Sequence, residues 1–381
     1  MGAVEYKLFI NGASARQEQL DQIDEITVDQ AVDRAWEARI KIPACVTDDG
    51  SWDGEGEPWT QFLTPIRIEV NAGDGSFVPL IDGPVVGYES ERSAIPGKSI
   101  HTIVVHDDSA LMNREASVDV RTGVSDSDLA TQLFRTAGLI PDVDTTPSQP
   151  ERITDVAVQR DTPIRYLRSL ARRYRDWHAY VLPGSMVGQS IGCFKRFTTE
   201  TDGLPEMVLL GADRNIQSFN VNNRSRNRAR AGAATLGVDR APQSSDESPD
   251  DATLMGDEVP DDAEPATTFL PPGQSDRVDL TEATRGAAAR SGLSLESTGS
   301  IVPFCYPAAL SPYRCVSVKN SDSAFSTVYL ITRVTHRLTR SVYTQSFSVR
   351  GNSVSRSSGG ATGQQLNAGL NAAFNIQGSI F

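Results

Sequence analysis

Four arginines alternate along one short stretch of the chain: Arg224, Arg226, Arg228 and Arg230. If that stretch is a strand, spacing two puts all four guanidinium groups on one face. Such a face is either a binding or channel-lining surface, or a solvated edge whose charge discourages edge-to-edge pairing. A second cationic set, Arg165, Arg168 and Arg172 with Arg173 and Arg175, falls opposite a helical stripe of Ile164, Leu167, Leu170, Ala171 and Tyr174. A solvated face or a subunit contact is the preferred reading there over a nucleic-acid site. Arg224, Arg226, Arg228, Arg230, Arg165, Arg168 and Arg172 are therefore the candidate interface or lumen residues.

Covalent and metal chemistry has less to work with. His101, His106, His178 and His336 form no HxH, HExxH or His–Cys cluster, and His101 and His106 have opposite parity on one strand. There is no GxSxG elbow and no P-loop. Residues 239–265 hold ten acidic residues and one arginine, but nothing there would fix a carboxylate pair for acid–base work. The acidic loop at 48–57 (DDGSWDGEGE) lacks calcium-loop spacing. Cys45, Cys193, Cys305 and Cys315 make no CxxC. Cys305 and Cys315 could meet across neighbouring strands, but free thiols are the commoner state of sparse cysteines. The expectation is no enzyme, no cofactor and no metal. Trp52 and Trp59 are candidates for stacking on sugar rings or for packing on the β core.

At 381 residues the chain can hold two or three domains. Its net charge of −13 comes mostly from residues 239–265, and acidity argues against a broad nucleic-acid-binding face. No charged start leads into an apolar run, and no run approaches the ~20 apolar residues of a membrane helix. Neither a cleaved leader nor membrane insertion is expected.

The elements that must position these residues are mostly short strands. Residues 4–10 run into Asn11-Gly12, a hairpin signal. Strand patterns follow at 22–30, 33–43, 65–70, 77–88 and 99–106, with Trp36, Ala38, Ile40 and Ile42 on one face. Asp82-Gly83 reads as a turn or bulge. The middle is different: Ser125 caps a helix striped with Leu129, Leu133, Phe134 and Ala137 that stops at Gly138. Asp161-Thr162-Pro163 opens a second helix, and a strand follows at 177–182. Strands return from Met207, at 216–221 and 224–238, then at 312–319, 325–338 and 342–350. Between them, 239–279 is too rich in Asp, Glu, Ser and Pro to bury apolar surface and reads as a disordered insertion, with a short helix at 281–291. The tail at 353–381 offers Leu366, Leu370 and Phe374 as a small docking stripe, too short to stand alone as a helix in water.

The order of these motifs resembles the central hub family of contractile phage baseplates. ITVDQAVD and the strand at 35–42 resemble its start. SDSDLATQLFRTAGL, VQRDTPIRYLRSLARRY and the strand at 177–182 resemble its helical middle. Leu210-Gly211 through Ile216-Gln217-Ser218-Phe219 resembles the opening of its second barrel, and VYLITRVTHRL with YTQSFSVRGN its final hairpin. The family includes late control D tail proteins, the hub half of the VgrG spike of type VI secretion and hubs of extracellular contractile injection systems. The resemblance spans 4–352.

The resemblance implies a mainly β fold with a small α+β middle: two similar tube-like β-barrel domains, 1–112 and 206–352, flank the middle at 113–205, with the tail at 353–381. It also implies a homotrimer whose pseudo-sixfold ring joins a sixfold inner tube to a threefold spike around a central channel. The implied partners are a separate spike protein (no spike repeat follows residue 352), an inner-tube or tube-initiator protein, baseplate wedge components and a translocated cargo. Assembly in the cytoplasm of the producing cell, within a virion tail or injection-particle baseplate, goes with it. The rival readings are a tail-associated cell-wall hydrolase and a carbohydrate- or receptor-binding β module.

Overall fold

The computed structural model describes residues 5–54, 56–73, 75–147, 156–174, 176–201, 203–223, 229–236, 242–249, 253–260, 266–270, 280–321 and 323–356. The chain opens with β1 (Glu5–Ile10) and β2 (Ala13–Ser14). Asn11 and Gly12 between them sit at φ 51° and 79°, as a two-residue hairpin of the primed type requires. After α1 (Gln17–Gln22) come β3 (Glu25–Ala31), β4 (Glu37–Pro43), β5 (Pro65–Asn71), β6 (Phe77–Glu91) and β7 (Ile100–His106). The middle contains β8 (Asp119–Thr122), α2 (Asp126–Thr136), β9 (Ile140–Val143), β10 (Val156–Gln159), α3 (Pro163–Ala171), β11 (Trp177–Pro183) and β12 (Ser190–Arg196). Then follow β13 (Met207–Val208), β14 (Ile216–Asn223), β15 (Ala229–Leu236), β16 (Pro242–Glu247), β17 (Ala266–Phe269), α4 (Leu280–Gly292), β18 (Leu295–Ile301), β19 (Cys315–Lys319), β20 (Val328–Thr339) and β21 (Tyr343–Gly351).

Period-two alternation makes the strands. In β4, Ala38, Ile40 and Ile42 are buried while Glu37, Arg39 and Lys41 face out. In β21, Tyr343, Gln345, Phe347 and Val349 are buried between outward Thr344, Ser346, Ser348 and Arg350. Each fully buried Ile or Val stabilises the fold by roughly 1.5–3 kcal/mol, so a slip of one residue would expose a whole face.

The strands form one large sheet in the order β14-β18-β21-β20-β3-β4-β7-β6-β5-β1-β2, with β19 also on β20. The path folds over on itself: Leu8, Ile66, Ile68 and Val70 of its far end share a core with Ile26, Val28, Ala38 and Ile40. Two units of identical order lie along it, β3-β4-β7-β6-β5 and β14-β18-β21-β20-β19. Each carries a bulge at the same place, between Val85 and Gly87 in β6 and between Ile331 and Arg333 in β20.

This corrects the expectation of two barrels in one respect: among the described residues no ring of strands closes, and the two units share a single sheet. The reason is the length of β20. Its first half pairs with β19 and its second half takes β3, from Arg333 opposite Ala31 to Thr339 opposite Glu25. Nor is Asp82-Gly83 a turn. β6 runs through it, with Asp82 opposite Arg67 and Gly83 opposite Ile66, and the bare glycine admits the His106 carbonyl, which a Cβ there would meet at 2.2 Å.

In the middle, Ser125 caps α2 by accepting from the Asp128 amide, and Gly138 follows at φ 77°. The helices α2 and α3 pack on the sheet β11-β12-β9 through Leu133, Phe134, Leu167, Leu170 and Phe194. The expected disordered insertion is partly ordered: β16 and β17 flank β15, against which α4 packs. Small side chains on β15 (Ala229, Ala231, Ala233) allow that packing, so acidic, Ser-rich β16 needs to bury little of its own surface.

Candidate assembly surface

The alternation that buries one face of the shared sheet leaves the other face polar across eight strands, from β14 to the second half of β6. At the seam between the units Arg333 holds Asp29 with two bonds, Nε–Oδ1 at 2.7 Å and Nη2–Oδ2 at 2.8 Å, and Thr335 donates to the same carboxylate at 3.1 Å. One pair further along, Arg337 and Lys41 both reach Glu25. Burial pushes the Glu25 carboxyl up, but hydrogen bonds from Lys41 and Arg337 reverse this and hold it below the usual carboxylate value. Arg39 pairs with Glu37 and Glu89, and Arg350 with Glu296. The wall is thus crowded with charge yet internally neutralised. Towards β14 it becomes an open trough of about 400 Å³ lined by Ser218, Asn220, Thr298, Ser346 and Ser348. Such a face offers hydroxyls, amides and paired ions but no concentrated charge of one sign and no nucleophile–base pair.

Behind the seam the two units are fixed by a buried polar chain. The Gln30 amide donates to the Leu80 carbonyl at 2.7 Å, leaving its oxygen to accept from His336 Nε2–H at 3.2 Å. His336 Nδ1 then accepts from the Tyr343 hydroxyl at 2.8 Å. His336 is wholly buried, and burial pushes its pKa down to about 3, so the ring is neutral.

The middle is locked to the first unit by Arg67, 1% exposed. Its guanidinium meets Glu69 at 2.7 Å and Asp82 at 3.1 Å, and donates to the Gly184 carbonyl at 2.8 Å. Asp82 in turn accepts from the Gly188 amide at 2.9 Å. On the other side Tyr180 stacks on Tyr313 at 3.6 Å, while His178 meets Asp33 at 3.2 Å.

The residues singled out in the sequence are scattered. Arg224, Arg226 and Arg228 lie outside the described residues, as do Leu366, Leu370 and Phe374. Arg230, on β15, stands 3.9 Å from Asp246. Arg165 is exposed near Asp161 at 3.8 Å. Arg168 is half-buried and donates to the Ala179 carbonyl at 3.4 Å, and exposed Arg172 accepts at its carbonyl from Arg290 at 3.1 Å. Trp59 is 1% exposed in the core, and Trp52 is covered by Arg92 at 5.2 Å. None of the four cysteines is in a disulfide. Among the described residues no three His, Cys, Asp or Glu gather as metal ligands, and no helix is long and apolar enough to cross a membrane. Sequence reading missed the wall itself, although its signal was there: Glu25, Thr27 and Asp29 alternate as Arg333, Thr335 and Arg337 do.

No family model matches the chain, and no curated protein matches it in sequence. Solved structures do match its fold. The 43 kDa tail protein of prophage MuSo2 from Shewanella oneidensis aligns with TM-score 0.61 at 14% identity, over 91% of this chain and 98% of that one. A type VI secretion component of E. coli, described as similar in structure to the T4 tail proteins gp27 and gp5, aligns with TM-score 0.50 at 9% identity, over 90% and 76%. A chain of the Francisella PdpA–VgrG complex aligns with TM-score 0.52 at 9% identity, over 92% and 58%. The chain therefore has the baseplate-hub-like fold of phage tail proteins and type VI secretion components.

Proposed function

We propose that this chain is a non-enzymatic hub of a contractile tail or injection machine, working as a homotrimer. The observation that carries the reading is the pair of equivalent units in one sheet, apolar on the back and polar on the front. Three copies supply six such units, so a single ring can meet a sixfold tube on one side and a threefold spike on the other. The polar wall faces the passage, and its paired charges let a cargo slide without binding it. A separate spike chain, an inner-tube protein and wedge components are the proposed neighbours, in the baseplate of a tail or injection particle. The segment holding Leu366, Leu370 and Phe374 is proposed to dock on one of them. The rival glycan-binding reading loses its best platform, because Trp59 is in the core.

The test is the mass of the purified chain by light scattering, alone and with its spike chain. A trimer at micromolar concentration is expected, gaining three spike chains when both are present. A monomer in both conditions overturns the reading.

A further inference from the structure

A second hollow lies away from the polar wall, where the folded-over end of the sheet meets the second unit. Glu5 opens β1 and Asn71 closes β5, opposite it in register. Against them stand Ile301, which ends β18, and Tyr343, which opens β21. With Phe304 and Tyr306 they enclose a crevice of about 230 Å³. The middle is held at the other ends of the strands: Arg67, near the start of β5, donates to the Gly184 carbonyl, and Asp33, past the end of β3, meets His178. The crevice therefore lies on the rim away from the middle.

Three aromatic rings, Phe304, Tyr306 and Tyr343, line it, and Glu5 is the one charged group among its described lining residues. The polar tips of the walls are engaged elsewhere. The Tyr343 hydroxyl donates to His336 Nδ1 at 2.8 Å, and the Tyr306 hydroxyl to the Pro205 carbonyl at 2.8 Å. Glu5 is fixed too: it accepts from the Asn71 amide at 2.8 Å, and Asn71 Oδ1 accepts from the Gly73 and Gly75 amides at 2.9 and 3.2 Å. Nearby cations have other contacts. Lys7, next on the same face of β1, sits over the Phe77 ring at 3.9 Å, and Arg340 donates to the Asp21 carbonyl at 2.7 Å. Phe304 is 58% exposed and sits at φ 65°, in the left-handed region that strains a bulky residue. A strained turn that holds an apolar ring in water is the opposite of what burial selects, and such strain gathers at ligand clamps.

We propose that this crevice receives the side chain of a basic residue, arginine or lysine, presented by a partner protein. Aromatic faces attract a cation placed within about 6 Å of the ring centroid, and a carboxylate held beside them adds a charge-assisted hydrogen bond. An apolar side chain would suit the rings but would take Glu5 out of water without a partner. The volume suits a single side chain, being below the ~300–1,000 Å³ of pockets for drug-sized ligands. In the hub reading the partner is a chain stacked on that rim, but the chemistry of the crevice does not depend on that reading.

Titration of the full chain tests this, followed by saturation-transfer NMR. The probes are N-acetyl-arginine amide and N-acetyl-lysine amide, with the neutral N-acetyl-citrulline amide and the apolar N-acetyl-leucine amide beside them. The expected result is saturable binding of a cationic probe, at least about five-fold tighter than the citrulline probe. Glu5→Gln and Phe304→Ala should each weaken it by at least about five-fold. Glu91→Gln removes an exposed carboxylate at the end of β6 and should leave binding unchanged. Glu5 and Phe304 are exposed, so both variants should melt with the parent chain, and lost binding is then not lost folding. Binding of either cation supports the proposal, and the tighter of the two names the residue. No saturable binding, equal binding of the citrulline probe or tighter binding of the leucine probe overturns it. So does a Glu91→Gln effect as large as that of Glu5→Gln, which would mark a diffuse field instead of a site. None of these outcomes bears on the trimer, which light scattering decides separately.

Discussion

The two units set the same strands in the same order but fill the back of the wall differently. In the first, Ile40 faces Ile103, and both are fully buried. In the second, the equivalent pair is Gly299 and Phe347. The Phe347 ring occupies the room that a side chain on Gly299 would need, since a Cβ there would meet the ring at 2.5 Å and the Ser218 carbonyl at 2.4 Å. Shared volume across a pair, rather than residue type, holds the repeat together. The polar positions differ too. Arg67 of β5 corresponds by register to Ser317 of β19, since each faces the equivalent residue, Asp82 or Val328. The first clamps the middle through buried charge, while the second only donates to Glu206 at 3.2 Å.

The largest expected break in this comparison is Arg67→Ala. It leaves Glu69 and Asp82 buried without their cation, so denaturant unfolding should show a loss of about 3–5 kcal/mol. Ser317→Ala, at the matching site, should cost under about 0.5 kcal/mol. Equal losses would mean that the two positions do not differ as described.

Next comes pH. His336 has a folded pKa of about 3 against 6.5 when free of burial, so the unfolded chain binds its proton first. The stability it contributes is complete above about pH 6.5 and is lost as pH falls towards 3, by roughly 3 kcal/mol at pH 4. Chemical denaturation from pH 7 to 4 should show that slope, and His336→Gln should flatten it. Its counterpart in the first unit is Ser90, which has no such slope to give.

Gly299→Ala should destabilise by about 1–3 kcal/mol through overpacking, read as a fall in melting temperature. Ile40→Val, at the equivalent site, should cost about 0.5–1.5 kcal/mol through a small void. A smaller effect is expected at the exposed end of the seam. Arg333→Ala removes a bidentate but solvated pair and should cost about 1 kcal/mol or less, shrinking as salt is added.

Local structure was legible in the sequence wherever a face is buried. The alternation in β4 and β21, the Ser125 cap and the Gly138 stop each announce themselves within a few residues. What joins them was not. The β20–β3 seam pairs Arg333 with Ala31, across some three hundred residues of chain, and no local pattern encodes a partner that far away. The same holds for Arg67 and His336, whose partners Asp82, Gly184, Gln30 and Tyr343 come from other elements, so nothing local marks them as paired. Segment 242–247 misled for a different reason: its composition is that of a solvated chain, and its strand is held by Ala-rich β15 alongside. The candidate site was half visible. The arginines drew attention first because four of one sign at spacing two stand out, whereas the wall mixes signs and hydroxyls and blends into an ordinary strand pattern.

The central claim is that the two units of one chain are equivalent sectors of a single closed wall. End-on electron-microscopy averages of the purified oligomer test it most directly. The account predicts a ring of six similar lobes in threefold symmetry around an open centre, with each chain spanning two adjacent lobes. A particle with no central opening, or with the two units of a chain in different layers, would contradict it.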